Sequence, residues 1–169
     1  MSVPSVSIQN KNGVTMLIDQ EDLGLLSQHK KGHWCFTVDK TGYARIANRK
    51  DLVGNEGVKI YAHRLIMKAS VGLEIDHVNR NRLDNRKENL RFCTRSQNVM
   101  NTAVSGASRF KGVSKKNDKW QSDITTNGIK SYLGFFKTEI EAARAYDAAV
   151  RLQNCEFRRL NFPNGDPNA

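Results

Sequence analysis

The chain has 169 residues, 38% of them hydrophobic, and carries 27 lysines and arginines against 17 acidic residues, giving a formal net charge of +10. This length and apolar content exclude a large single core and favour two small domains. The charge predicts a polyanionic partner, with a merely basic, well-solvated surface as the alternative.

A membrane is a weak candidate for that polyanion. No apolar run approaches the roughly 20 residues of a spanning helix, and the N-terminal residues match neither a signal peptide nor a lipidation motif. We therefore expect an intracellular protein with no membrane partner. The three cysteines, Cys35, Cys93 and Cys155, form no C-x-x-C pair, so neither a disulfide framework nor a cysteine-type zinc site is expected.

The first elements in chain order are strand-like. In residues 1–32, a segment of uncertain role, "VTMLID" predicts a strand and "QEDLGLLSQH" a short helix. "HWCFTV" and "YARIAN" flank the turn "DKTG" and predict a hairpin. "VKIYAHRLIMKA" begins rich in strand formers and passes into helical spacing.

The middle of the chain predicts the order strand, long loop, strand, helix. "LEID" and "LRFC" are the strands, and a polar loop rich in asparagine and cations joins them. Thr94 and Gln97 have the spacing of a capping box, so a helix should begin at residue 95. A stretch of small polar residues at 102–108 predicts a linker.

The C-terminal third predicts a three-stranded antiparallel sheet packed on one helix. The strands are "FKGVSKK", "KWQSDITTN" and "KSYLGFF", joined by turns at "ND" and "NG". Thr138 and Glu141 form a second capping-box pattern ahead of an amphipathic helix. The predicted fold is therefore α+β, with one domain at 33–101, a second at 109–163 and a tail at 164–169.

One acid–imidazole pair stands where the predicted strand "LEID" gives way to the loop. Asp76 and His77 are adjacent there, and Asn98 lies about one turn inside the following helix. Carboxylate and amide oxygens suit a hard cation such as Mg²⁺, and imidazole can take a proton from water at neutral pH. Phosphodiester hydrolysis fits this set, provided that the strand ends or bulges at residues 76 and 77, because consecutive strand residues point to opposite faces.

The stretches "AHRLI" and "EIDHVNRNRLDNRKENLRFCTRSQN" resemble the HNH endonuclease family, in the form found in phage and intron-type homing endonucleases. The resemblance implies a ββα-metal fold in which Asp76 and Asn98 are metal ligands and His77 is the general base. It further implies that Asn89 braces the loop and orients the base, and that His63 has a structural or DNA-facing role. Asn101, also helical, is the alternative to Asn98. The metal is expected to be Mg²⁺, with Mn²⁺ as the alternative.

Residues 109–163 resemble the DNA-binding domain of the plant Apetala and ethylene-response-factor class at "KGV", "YLGFF", "EAARAYDAA" and "LNFP". That class lays its sheet in the major groove, so double-stranded DNA is the expected partner. Ser114, Lys116 and Thr125 stand where plant members commonly have arginine, and Tyr132 replaces a tryptophan, so the plant target sequence is not expected. The predicted DNA contacts, with two arginines of the loop, are Lys111, Lys115, Lys116, Lys119, Asp123, Thr125, Lys130, Tyr132, Tyr146, Arg80 and Arg82.

The sequence thus predicts a metal-dependent endonuclease whose C-terminal sheet selects the site. A DNA-binding transcriptional regulator with a non-catalytic HNH-like scaffold is the alternative, and RNA ranks below DNA because the sheet lacks an obvious series of exposed aromatic residues. The sequence leaves the oligomeric state open, and a monomer is compatible with it.

Overall fold

The computed structural model describes residues 3–26, 35–46, 60–102, 104, 107–126 and 128–165. Within these residues the chain forms small antiparallel sheets and short helices, which confirms the predicted mixed α+β class. The chain divides into two compact units, residues 1–94 and residues 95–169. The predicted linker at 102–108 therefore lies inside the second unit, and the predicted domain boundaries stay a prediction. No helix in the described parts of the chain is long and apolar enough to cross a membrane.

The first unit contains seven strands in its described residues, two short 3-10 turns and one short helix. In chain order these are β1 (Ser5–Gln9), β2 (Thr15–Asp19), a 3-10 turn (Gln20–Leu25), β3 (Phe36–Val38), β4 (Ala44–Ile46), β5 (Ile60–Tyr61), α1 (Ala62–Ile66), β6 (Glu74–His77), a second 3-10 turn (Lys87–Asn89) and β7 (Leu90–Cys93). β1 pairs with β2, β3–β4–β5 form a three-stranded sheet, and β6 pairs with β7. β1 was not predicted, since "SVSIQ" has only two apolar residues to mark a strand.

The "DKTG" turn is confirmed. Gly42 has φ +87°, and its amide donates to the Asp39 carbonyl at 2.9 Å. The Asp39 carboxylate accepts hydrogen bonds from the backbone amides of Thr41 and Tyr43, which lock the turn. Residues 27–34 and 47–59 lie outside the described residues, and with them parts of the four predicted elements "QEDLGLLSQH", "HWCFTV", "YARIAN" and "VKIYAHRLIMKA".

The core of the first unit joins all its sheets. Its buried apolar side chains are Ile8, Met16, Ile18, Leu26, Phe36, Ala44, Ile46, Ala62, Ile66, Ile75 and Leu90. Because β6 and β7 contribute Ile75 and Leu90 to this core, the strand that carries the acid–imidazole pair is fixed by apolar packing on its other residues.

The second unit consists of α2 (Arg95–Asn101), β8 (Val113–Lys116), β9 (Lys119–Thr126), β10 (Ile129–Phe136) and α3 (Glu139–Leu152). The strand order is β10–β9–β8, antiparallel throughout, as predicted. The predicted capping box is present, with Thr138 Oγ1 accepting from the Glu141 amide at 3.2 Å and the Glu141 side chain accepting from the Thr138 amide at 3.1 Å. The core between sheet and helix is built from Ile124, Tyr146 and Val150.

Gly112 is required by the packing of α3 on the sheet. It has φ +72°, and a Cβ atom at this position would lie 2.1 Å from the Tyr146 ring and 2.6 Å from the Asp123 carbonyl oxygen. A glycine therefore lets the backbone approach the buried tyrosine.

Candidate active site and nucleic-acid interface

Strand β6 ends at His77, but its pairing with β7 continues without a bulge through Asp76, opposite Arg91, and His77, opposite Leu90, so the condition set by the sequence is met only in that the strand ends there. The Asp76 and His77 side chains are both buried, with 5% and 4% of their surface exposed. Asp76 lies opposite Arg91 on β7, and its Oδ2 accepts from Arg91 Nη2 at 2.7 Å and from Arg91 Nε at 3.0 Å. The carboxylate is thus held by a two-pronged ion pair beside the imidazole.

His77 has a side-chain partner that the sequence did not single out. Its Nε2 lies 3.3 Å from Asn85 Oδ1, and the Asn85 amide nitrogen faces the Arg82 carbonyl at 3.5 Å. An amide oxygen only accepts, so this orientation places the imidazole proton on Nε2 and the lone pair on Nδ1. In the sequence, Asn85 looks like a turn residue, as Asn79 and Asn81 do. Only the folded loop shows that Asn85 contacts His77.

Asn89 braces the loop between β6 and β7. Its Oδ1 accepts from the Asn79 amide at 2.9 Å, and its Nδ2 donates to the Asp84 carbonyl at 2.7 Å. Two distant points of the loop are thereby tied to the start of β7. The further role predicted for Asn89, orienting the base, stays a prediction.

His77 also belongs to a cluster of rings, which we call the ring cluster: Tyr43, Tyr61, His63 and His77. The His63 and His77 centroids are 5.3 Å apart with the rings nearly perpendicular, and Tyr43 lies 5.8 Å from His77 and 5.1 Å from His63. Tyr61 is 5.7 Å from His63, and its hydroxyl donates to Asp39 Oδ2 at 3.0 Å. The cluster restricts the plane of the His77 ring.

Burial in this cluster favours neutral imidazoles. Desolvation lowers the pKa of His63 to about 3, with the charges of His77 and Arg64 acting in the same direction. Desolvation also lowers the pKa of His77, against smaller opposing contributions from Asn85 and Asp76. His63, placed by the sequence in a structural or DNA-facing role, is 8% exposed and packs inside the unit.

The N-terminal hairpin, whose role the sequence left open, supports the loop that holds Asn85. The Leu17 amide donates to the Leu83 carbonyl, and the Asn85 amide donates to the Leu17 carbonyl, both at 2.8 Å. Asp19 Oδ2 accepts from the Lys87 amide at 2.8 Å. β2 thus runs beside the loop and fixes its backbone at three points.

The two arginines predicted to contact DNA differ in their surroundings. Arg82 stacks over the Tyr43 ring at 4.6 Å and donates to the Thr41 carbonyl, so its guanidinium supports the "DKTG" turn. Arg80 is exposed and has φ +64°, in the left-handed region. Arg80 therefore remains the freer of the two for a phosphate.

The predicted second metal ligand, Asn98, lies in α2, which belongs to the second unit. Its place beside Asp76 therefore stays a prediction, as does that of the alternative, Asn101. Among the described residues no group of three or more His, Cys, Asp or Glu side chains is arranged to hold a metal ion. A metal at Asp76 would thus depend on amide, phosphate and water oxygens, a set that suits a hard cation which keeps part of its water shell.

The register of the C-terminal sheet sorts the predicted DNA contacts onto faces, because directly paired residues share a face and neighbours alternate. Ser122 and Ile124 are buried toward α3, so residues 121, 123 and 125 of β9 point away from the helix. We call this side the outer face. Through the pairings of β9 with β8 and β10 it comprises Ser114, Lys116, Lys119, Gln121, Asp123, Thr125, Lys130, Tyr132 and Phe135.

Three predicted DNA contacts of the second unit lie off the outer face. Lys115 pairs with Trp120 and stacks over its ring at 5.8 Å, on the side of the sheet that carries α3. The Lys111 ammonium donates to the carbonyls of Val99, Met100 and Thr102 at the end of α2. Tyr146 is 2% exposed in the core. The sequence could not separate Lys115 from Lys116, since a shift of one residue in strand register exchanges their faces.

Parts of this chain are similar to known proteins. Residues 60–100 match the family model of the HNH endonuclease. The chain is 32% identical over 110 residues to an uncharacterized HNH endonuclease of Acanthamoeba polyphaga mimivirus, an alignment covering 61% of this chain and 58% of the relative. It is 38% identical over 78 residues to an ethylene-responsive transcription factor of Arabidopsis thaliana, covering 44% of this chain and 31% of that factor.

A solved structure of DNA binding and cleavage by the HNH homing endonuclease I-HmuI is also similar, with 20% identity and a TM-score of 0.37, covering 88% of this chain and 83% of the other. The chain spans less than two thirds of the length of either curated relative named above. Residues 60–100, from β5 to α2, are therefore similar to HNH endonucleases, in a chain that is also similar in part to ethylene-responsive transcription factors.

Proposed function

We propose that the chain is a metal-dependent endonuclease that hydrolyses phosphodiester bonds of double-stranded DNA at sites selected by its C-terminal sheet. The observation that carries the proposal is the setting of His77. It ends β6 beside the ion-paired Asp76, with Asn85 at its Nε2, inside the segment that matches the HNH family model.

In this proposal His77 is the general base. The Nδ1 lone pair, set by the contact of Nε2 with Asn85, accepts a proton from the attacking water. The ring cluster and the hairpin-braced loop hold the imidazole plane, so that little reorganisation precedes the proton transfer. Asn89 contributes by keeping the loop closed on the β6–β7 hairpin.

The metal is proposed to be Mg²⁺, with Mn²⁺ as the alternative, held by Asp76 and Asn98. Their carboxylate and amide oxygens fit a hard cation. When bound, the metal would stabilise charge developing on the leaving oxygen of the phosphodiester. Arg91 already contacts Asp76 Oδ2, so a metal would bind through Asp76 Oδ1 or share Oδ2 with this ion pair.

The outer face of the C-terminal sheet is the proposed DNA-selecting surface. Lys116 and Lys119 are exposed at the β8–β9 turn, where an ammonium can reach a phosphate. Lys130 and Thr125 are exposed at the other end of the face. This surface does not include Lys115, which lies on the α3 side of the sheet, Lys111, which contacts the end of α2, or Tyr146, which is buried in the core. The protein is proposed to work inside a cell, in the host cytoplasm if it is phage-encoded.

A plasmid assay tests the proposal. Purified full-length chain is incubated with supercoiled plasmid, and with DNA from several phages and hosts, in Mg²⁺, in Mn²⁺ and in EDTA. We expect nicked or linear product with a divalent metal and none with EDTA, and the ratio of nicked to linear product reports single- against double-strand cleavage. Absence of metal-dependent cleavage on every DNA tested would contradict the proposal.

A transcriptional regulator is the second candidate. The similarity to ethylene-responsive transcription factors and the engagement of Asp76 by Arg91 favour it. It predicts tight, salt-dependent binding to duplex DNA with no cleavage in any metal, so the same assay, run beside a binding measurement, separates the two functions.

A further inference from the structure

The outer face carries two residues that the sequence did not assign to DNA, Gln121 and Phe135. They lie directly opposite each other on β9 and β10. Tyr132 and Asp123 form the next pair on the same face, across the β-bulge between Tyr132 and Gly134. These four residues occupy the centre of the face, between Lys119 at one end and Lys130 at the other.

One half of this centre is an oriented polar row. Gln121 Nε2 donates to Asp123 Oδ1 at 2.9 Å, and Lys130 Nζ lies 3.0 Å from Asp123 Oδ2. An ionised carboxylate only accepts, so Asp123 holds the nitrogen of the Gln121 amide toward itself and the amide oxygen away from it. The amide thus keeps an acceptor and its second N–H for another partner.

The other half is an exposed aromatic pair. Tyr132 and Phe135 are 57% and 52% exposed, and their rings meet edge to face with centroids 5.5 Å apart. Their place on the outer face explains why neither ring joins the core, which lies on the α3 side of the sheet. Large apolar side chains left at the centre of a lysine-flanked face indicate a partner that is both anionic and partly apolar.

We propose that this centre reads an A·T base pair in the major groove, with Gln121 on the adenine and Phe135, supported by Tyr132, on the thymine methyl group. Glutamine presents the acceptor and donor that match adenine N6 and N7, and thymine alone among the four bases offers a methyl group there. Directly opposed strand residues have Cβ atoms about 5 Å apart, so the two side chains can each contact one base of a single base pair. The inference rests on the proposed DNA binding and not on cleavage.

The preferred duplex is first selected from a randomised library by the full-length chain in EDTA. Its thymine at the A·T pair is then replaced by deoxyuridine, which removes only the methyl group, and the affinities of the two duplexes are compared at one salt concentration. Loss of one buried methyl contact is expected to weaken wild-type binding about fourfold. Phe135→Ser should bind both duplexes equally, whereas Gln121→Ala should lose about 5- to 150-fold of discrimination against G·C at that position.

Ile129→Ser is the matched control. Ile129 is an exposed apolar residue of the same strand, 71% exposed, but it pairs with Thr126 on the α3 side of the sheet. We expect this variant to keep the fourfold effect of the methyl group. The thymine-to-uracil comparison on the wild-type chain needs no variant, so it stands even if a substitution unfolds the sheet.

Equal wild-type affinity for the thymine and uracil duplexes would overturn the inference, as would a selected site without an A·T pair or a preference for single-stranded DNA. The first two results leave the proposed function standing, because duplex binding persists in both, whereas a preference for single-stranded DNA would also contradict the proposed selection of duplex sites by the sheet. Failure to bind any duplex at low salt would overturn the proposed DNA-selecting sheet together with the inference.

Discussion

Asn85 Oδ1 lies 3.3 Å from His77 Nε2, and Asn85 is completely buried in the loop that β2 braces. If this contact sets the tautomer and angle of the base, Asn85→Ala should lower the cleavage rate by about 10- to 100-fold, less than loss of the base itself. The rate is measured on a nicking substrate at saturating DNA, where KM should change little.

The matched control for that variant is Asn81→Ala. Asn81 belongs to the same loop and is exposed, and its Oδ1 accepts from the Leu83 amide at 3.1 Å. Its removal is expected to change the rate less than about threefold, since the cost is one exposed turn hydrogen bond. Equal rates for the Asn85 and Asn81 variants would show that the Asn85 contact has no part in catalysis.

The burial of His63 predicts a pH dependence of stability. Its pKa is about 3 in the folded chain and 6.5 for the ordinary side chain, so between these values the unfolded state binds a proton that the folded state does not. Stability is therefore lost as pH falls from about 6.5 toward 3. His63→Phe should flatten the slope of the unfolding free energy in this window by up to about 1.4 kcal/mol per pH unit. Parallel slopes for the two proteins, measured by urea unfolding at pH 4 to 7, would contradict this reading.

The face assignment predicts different salt responses for two neighbouring cations of the sheet. Lys119→Ala should reduce the magnitude of the slope of log K against log salt by about 0.9, as expected for one lost phosphate contact. Lys115→Ala, on the α3 side, should leave the slope unchanged. The measurement is duplex affinity at salt concentrations from about 50 to 300 mM. A larger effect from Lys115 than from Lys119 would reverse the face assignment.

Gly112 predicts a large stability effect in the second unit. Gly112→Ala places a methyl group against Tyr146 at positive φ, and should cost about 2 to 5 kcal/mol from backbone strain and overpacking together. Gly128→Ala is the control, because Gly128 has φ +80° with nothing within 4 Å of the added atom, so only the backbone cost of about 1 kcal/mol applies. The unfolding free energies of both variants are measured in urea, with Trp120 fluorescence as the signal and Trp34→Phe as the background. Equal losses would mean that the chain relieves the clash.

Local sequence patterns were enough to predict the secondary-structure elements that carry the candidate site. The stretch "LEID" predicted a strand ending at Asp76, one residue before the end of β6, and Thr138 with Glu141 predicted the capping box that opens α3. Contacts between residues far apart in sequence could not be predicted in this way. The support of the loop by Leu17, and the meeting of Tyr43 with His77, depend on how separate hairpins pack, for which hydrophobic periodicity carries no signal.

The central claim is tested most directly by His77→Ala, assayed for plasmid nicking in Mg²⁺ beside a duplex-binding measurement in EDTA. We expect cleavage to fall by at least about 100-fold while duplex affinity stays within about twofold, because the base contributes to the reaction and is not a residue of the outer face. Metal-dependent cleavage by the variant at the wild-type rate would contradict the assignment of His77 as the base.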